Sequence, residues 1–177
     1  MLCRVLGMVQ VDLDGHTIDL GHPRQRSVFA VLAAMANQVV HVDTLVDRVW
    51  GSDQPVTARS ALYSYIARLR GVLRPTEHVR LVRRGGGYVL EVDPDAVDLH
   101  RFRNLVARTK TANDDDRAAI FDEAIALHRG APFTGLTSPW LEQQREVIEA
   151  ELLAAMLDRN DVELRRGRHA ELAASLT

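Results

Sequence analysis

A single cysteine, Cys3, rules out an intramolecular disulfide, and no Cys or His partner stands at zinc-ligand spacing. The thiol reads as a free core residue, and the lack of disulfides points to a reducing cytoplasm. No apolar run approaches the roughly 18 residues of a membrane span. The longest extends only from Val28 to Ala36. Met1-Leu2-Cys3-Arg4 has no apolar signal core behind it, so export and membrane anchoring are not expected. Lysine is almost missing too. Lys110 stands alone, and arginine carries nearly all of the positive charge.

Catalytic and cofactor patterns are equally sparse. Gly85-Gly86-Gly87 is not followed by Gly-Lys-Ser/Thr, and the residues behind it read as a strand rather than the helix a phosphate loop needs. The seven histidines are scattered, with no two at the i, i+4 spacing of a metal site on one helix. Asp114-Asp115-Asp116 lacks the ligand spacing and central glycine of a calcium loop and reads as a solvated turn or helix start. No nucleophile, base and orienting partner can be assembled. The expectation is a protein that is not an enzyme and holds no metal or cofactor.

What is present is a chain able to fold: 177 residues, 46% hydrophobic and 26% charged. That length allows one ordinary domain or two small modules. The net charge of -2 hides an asymmetry. Residues 1–92 carry 11 basic against 8 acidic residues, and residues 93–177 carry 11 against 16. Between Pro55 and Leu90, seven arginines face Glu77 alone, a footprint of the kind that meets phosphate.

The patterning supports two modules. Short β-rich runs over 3–6, 8–13 and 17–20 are separated by Gly7 and by Asp14-Gly15, a strong hairpin signal. Pro23 suits a first helical position ahead of Val28, Phe29, Leu32, Met35 and Ala36, which bury one helix face. After an extended 39–42, Asp43 is a candidate N-cap for a two-turn helix with Leu45, Val46, Val49 and Trp50, stopped by Gly51. Thr57 is the candidate cap of a longer helix running to about Arg74, with Ala61, Leu62, Ile66, Leu69 and Leu73 as its apolar stripe and Tyr65 at the edge. Its opposite face carries Ser60, Ser64, Ala67, Arg68 and Gly71, flanked by Arg59, Tyr63 and Arg70. Small residues there let a partner approach closely. Two strands, 79–83 and 88–92, then join around the three glycines as a hairpin with a basic tip. Asp93-Pro94-Asp95 breaks the pattern, and helices follow: one with Leu99, Phe102, Leu105 and Val106, one with Ile120, Phe121, Ala124 and Ile125, a long one capped by Ser138, and a last short one carrying Leu172 and Leu176.

Sheet, three helices and hairpin, with the third helix and the hairpin tip both basic, is what a winged helix-turn-helix requires. Arginine suits the task because its planar fork grips a phosphate or the O6 and N7 edge of guanine through two hydrogen bonds. Residues 1–92 resemble the OmpR/PhoB-type winged-helix DNA-binding domain in the version seen in the actinobacterial antibiotic regulatory protein (SARP) family. The resemblance rests on Arg4-Val5-Leu6-Gly7, Pro23-Arg24-Gln25-Arg26, the run from Val42 to Gly51, Thr57-Ala58-Arg59, Arg68-Leu69-Arg70 and Gly87-Tyr88. Residues 97–177 resemble that family's bacterial transcriptional activation domain, a tetratricopeptide-like helical module, at Val97-Asp98-Leu99-His100-Arg101-Phe102, Pro139-Trp140-Leu141 and Gly167-Arg168-His169-Ala170-Glu171-Leu172. The expected fold is therefore an α+β winged helix followed by an all-α domain that stops partway through the family's module.

The resemblance implies a sequence-specific transcriptional activator that binds direct repeats in double-stranded promoter DNA and recruits RNA polymerase through its sigma factor. Ser60, Ser64, Tyr65 and Arg68 are assigned to base edges, and Arg59 and Arg70 to backbone phosphates. Arg83 and Arg84 are assigned to the wing's backbone or minor-groove contact. Ser60 stands where many relatives carry a basic residue, so the base preference should differ from theirs. Arg83-Arg84-Gly85-Gly86 replaces the prolines common in relatives and implies a more flexible wing. Self-association is expected through apolar surface on the long helix and the last short one. The competing reading is a helical-repeat adaptor whose acidic half binds a protein, with only residual DNA binding.

Overall fold

The computed structural model describes residues 2–74 and 78–166. The expected last helix with Leu172 and Leu176, and the family-like stretch 167–172, lie outside the described residues. The chain opens with three short antiparallel strands, β1 Leu2–Arg4, β2 Gln10–Leu13 and β3 His16–Ile18, in the order β1-β2-β3. Leu13 pairs with His16 across Asp14-Gly15, whose φ angles of 51° and 82° are those of a two-residue hairpin turn. Helices α1 Pro23–Ala34, α2 Val42–Trp50 and α3 Ala58–Leu73 follow. A second sheet, in the order β4-β6-β5, joins β4 Val40–His41 to the hairpin β5 Val79–Arg84 and β6 Gly87–Val92.

Pro23 begins α1 as expected, but α1 buries far more than one face. Val28 to Ala33 are all fully buried. The helix packs against α2, α3 and β6, and His100 of the helical half reaches its C-terminal turn, so the apolar run 28–34 is buried all round. Asn37 ends the segment with φ 63° and ties it to the hairpin: its side chain accepts from Val92 N at 3.1 Å and donates to Val92 O at 2.8 Å. Asp43, expected as the N-cap of α2, instead lies inside its first turn, because the helix starts at Val42 with His41 in the extended cap position. There its charge still favours the helix N-terminus. Thr57 does occupy the N-cap of α3, without a side-chain cap bond; its carbonyl accepts the Ser60 hydroxyl at 2.8 Å.

In the β5–β6 turn, Gly85 and Gly86 take φ 52° and 78°. Gly87 is there for another reason. A Cβ at Gly87 would overlap the Val40 carbonyl of β4, so glycine is what lets β6 pair with β4.

Beyond a 3-10 turn at Pro94–Ala96 come α4 Asp98–Thr109, α5 Asp114–Ile125 and α6 Pro139–Arg165. Ser138 caps α6, its hydroxyl accepting from Leu141 N at 3.1 Å, and Asp114 to Asp116 form the first turn of α5 behind the Asn113 cap. The two halves share one continuous core. Asp98, 2% exposed, accepts from Val5 N at 2.8 Å, Leu6 N at 3.1 Å and Leu99 N at 2.8 Å. The loop after α5 returns the exchange: Arg129 N donates to Leu6 O, Phe133 N to Val5 O and Thr134 N to Gly7 O. Arg48 of α2 stacks over Trp140 of α6 at 4.5 Å. Burial raises the Asp98 carboxyl above its usual range despite the three donors, and pushes the adjacent Cys3 thiol up to about 12, which leaves it inert.

This packing can be tested at two places. Gly87→Ala should cost about 2 kcal/mol or more, because the β4–β6 pairing must open, whereas Gly86→Ala should cost only the roughly 1 kcal/mol of an unfavourable φ. Denaturant titration of both variants measures the difference. The second test concerns His100, which donates from Nε2 to Ala33 O across the two halves at 2.9 Å, and His128, packed edge-on against Phe102. Burial holds both below the ordinary histidine range, with Arg103 reinforcing the shift at His100 and Glu151 opposing it at His128. The unfolded chain therefore gains protons first as pH falls. Stability should be full above about pH 6.5 and decline as pH drops through the folded values. Asp98 acts with the opposite sign and in stronger acid: its raised carboxyl favours the folded state at low pH and loses that effect as pH rises through its folded value. A lower denaturant midpoint at pH 5.5 than at 7.5, with a smaller difference in His128→Leu, is the expected result.

Candidate nucleic-acid interface

One stripe of α3 determines everything it presents outward. Ala58, Leu62, Ile66, Leu69 and Leu73 are each at most 3% exposed, packed on α1, α2 and β5. At about 100° per residue, the direction opposite that stripe passes through Ser60, Ser64, Ala67 and Gly71. All four are exposed, as expected from the sequence. The hydroxyls of Ser60 and Ser64 donate back along the helix, to Thr57 O at 2.8 Å and Ser60 O at 3.1 Å, and keep acceptor capacity facing out.

Arg68 lies on one flank of this face. It is exposed and makes no hydrogen bond or ion pair among the described residues. Tyr65, assigned to a base edge, is not brought to the same place. Its ring stacks on Trp50 at 6.2 Å and meets His22 edge-on at 4.8 Å, half-buried, so it packs α3 against α1 and α2. Arg70 lies on the other flank. Its Nε donates to Leu81 O at 2.8 Å and its guanidinium sits 5.5 Å above the Tyr88 ring. Arg70 is thus the tether between α3 and the wing, while the residue as a whole stays exposed.

The remaining arginines differ in how they are held. Arg59 pairs with Asp43, and Arg84 with Glu91, in contacts whose arginines are 61% and 65% exposed. Surface pairs of this kind contribute about 0–1 kcal/mol and give way to a phosphate at little cost. Arg83, on the opposite side of β5 from Arg80 and Val82, is exposed with no acidic partner among the described residues. Arg74 and Arg80, counted in the basic footprint but assigned no contact, extend the basic surface along a groove between the end of α3 and β5 floored by Leu73 and Leu81. Tyr63 also went unassigned, although it lies three residues beyond Ser60 and is 43% exposed. Among the described residues no group of three His, Cys, Asp or Glu could hold a metal ion, and no helix is long and apolar enough to cross a membrane.

The fold and the order of its two modules are matched by known proteins. Residues 15–90 match the family described as "Transcriptional regulatory protein, C terminal", and residues 97–177 match "Bacterial transcriptional activator domain". The regulatory protein AfsR of Streptomyces coelicolor is 32% identical over 98% of this chain, which spans 18% of that relative's length. The regulatory protein DnrI of Streptomyces peucetius is 29% identical over the whole chain and 70% of its own length. A solved structure of Mycobacterium tuberculosis EmbR in complex with a low-affinity phosphopeptide superposes with a TM-score of 0.89 at 26% identity, covering 99% of this chain and 48% of that one. An α+β winged helix joined to a helical activator module, with relatives of that architecture over its whole length, places the chain in the SARP family of transcriptional regulators.

Proposed function

We propose that the chain binds promoter DNA sequence-specifically and activates transcription, with α3 in the major groove and the β5–β6 wing against the neighbouring backbone or minor groove. The observation that carries this reading is the bare face of α3: Ser60, Ser64, Ala67 and Gly71, with Arg68 beside them, next to a wing that Arg70 locks in place. Ser60, Ser64 and Arg68 read base edges. Arg59, Arg83 and Arg84 grip phosphates, and Arg70 adds a phosphate contact from its terminal nitrogens while holding the wing. The relatives' names support regulation of transcription, and the acidic helical half is the part that engages RNA polymerase through its sigma factor. Binding to direct repeats places two copies side by side. The exposed Leu153, Leu157 and Leu164 of α6 support self-association, which sedimentation at rising concentration measures. The compartment of such a protein is the cytoplasm.

Binding to a selected and a scrambled duplex across a salt series tests the assignment. Arg68→Ala should cost about 1–3 kcal/mol on the selected site, relax the preference at one or two positions and leave the scrambled duplex nearly unaffected. Arg83→Ala and Arg84→Ala should weaken both duplexes alike and each reduce the slope of log affinity against log salt by about 0.9. Arg70→Ala should do the same and, alone of the four, also lower stability, by about 1 kcal/mol for the lost bond to Leu81. If Arg68→Ala weakens both duplexes equally and changes the salt slope, α3 meets the groove with a different face, turned about its own axis. If the chain binds neither duplex at low salt, the adaptor reading replaces this one.

A further inference from the structure

We propose that Tyr63 reads a thymine, packing its ring against the 5-methyl group in the major groove; this rests on α3 being the DNA-reading helix. Three tyrosines are present, and two are occupied: Tyr65 stacks on Trp50, and Tyr88 is 5% exposed beneath Arg70. Tyr63 alone is 43% exposed, with no ring contact or hydrogen bond among the described residues. Among the described residues, no hydrogen bond or ring contact holds its exposed part to the fold.

Its neighbours decide what it can reach. Tyr63 lies about 80° from the middle of the outward face, on the flank toward Arg70 and the wing, whereas Tyr65 lies about 120° away on the opposite flank. Ser60, one turn before, and Ala67, one turn after, are too short to compete with it. Tyr63 and Arg68 are thus the two long side chains bordering a trough of small ones. Arg68 supplies the donors that suit guanine. Tyr63 supplies an apolar surface, and the only apolar group that the four base pairs present in the major groove is the thymine methyl. The two residues are five positions apart, about 7.5 Å along the helix, which corresponds to roughly two base-pair steps. The guanine read by Arg68 and the thymine read by Tyr63 should be separated by about that spacing.

The test uses the full chain and a duplex selected from a random library, with each thymine replaced in turn by deoxyuridine, which removes only the methyl. The wild type should lose about fourfold in affinity at one position, the equivalent of one buried methyl group. Tyr63→Ala should bind the thymine duplex about fourfold or more weakly, lose its sensitivity to deoxyuridine at that position and keep the wild-type thermal unfolding curve. Tyr63→Phe should keep both the affinity and the sensitivity. Retained sensitivity in Tyr63→Ala, or a wild type indifferent to every replacement, would overturn the inference while leaving the DNA reading intact. Loss of affinity in Tyr63→Phe would overturn it as well, by making the hydroxyl the reader. A wild type that prefers no duplex over a scrambled one overturns the DNA reading itself, and this inference falls with it.

Discussion

The outward face of α3 is set by what the helix must hide. Leu62, Ile66, Leu69 and Leu73 are essentially removed from water, each contributing about 1.5–3 kcal/mol. The ion pairs that α3 and the wing make at the surface contribute at most about 1 kcal/mol apiece. Burial therefore fixes the rotation of the helix about its axis, and charge adapts to it. Once that rotation is fixed, Ser60, Ser64, Ala67 and Gly71 have nowhere to point but outward. A protein that reads bases by side-chain geometry needs such a rigid reference. The same leucines that stabilise the fold hold the proposed reading residues in place.

The wing depends on the same helix through different chemistry. β5 is an edge strand, joined to the rest of the sheet only through β6. β6 in turn reaches β4 only because Gly87 has no side chain to strike the Val40 carbonyl. The Arg70 bond to Leu81 closes the loop back to α3. Glycines at the turn loosen the tip, while Gly87 and Arg70 secure the base of the hairpin. A tip free to adjust on a fixed base suits contact with phosphates, whose positions vary with sequence. The ion pair of Arg84 with Glu91 draws the guanidinium back from the tip along the hairpin, and a surface pair of that kind releases it at little cost.

The two modules are joined more tightly than their different architectures suggest. Residues 5–7 are bonded from both sides: Asp98 at the start of α4 accepts from the amides of Val5 and Leu6, and the loop from Arg129 to Thr134 supplies donors to the carbonyls of all three. A buried carboxylate is costly unless satisfied, and here three backbone donors satisfy it. This makes the N-terminal sheet as much a docking strip for the helical half as a part of the winged helix. A movement of α4 relative to that strip would break bonds to the backbone just ahead of β2. Whatever the helical half engages is therefore connected to the winged-helix half by a shared core rather than by a loose linker.

Much of this was legible in the chain because the informative signals are local. Periodicity located the six α-helices among the described residues, Asp14-Gly15 marked a turn, and Pro23 and Ser138 marked helix starts. The outward set of α3 followed from its stripe by counting around the helix. What could not be read depends on residues far apart in sequence. Tyr65 lies at the border of the stripe, and only the positions of Trp50 and His22 decide that it is covered; Tyr63, on the opposite flank, is 43% exposed with no ring contact among the described residues. Two of the three donors to Asp98 are more than ninety residues away, and the real constraint on Gly87, the Val40 carbonyl, lies across a sheet, so turn geometry alone does not reveal it. Helix-border positions are decided by neighbouring elements and not by period, which is why the two aromatic residues on the flanks of one face differ in how they are covered while the rest of the face follows the count.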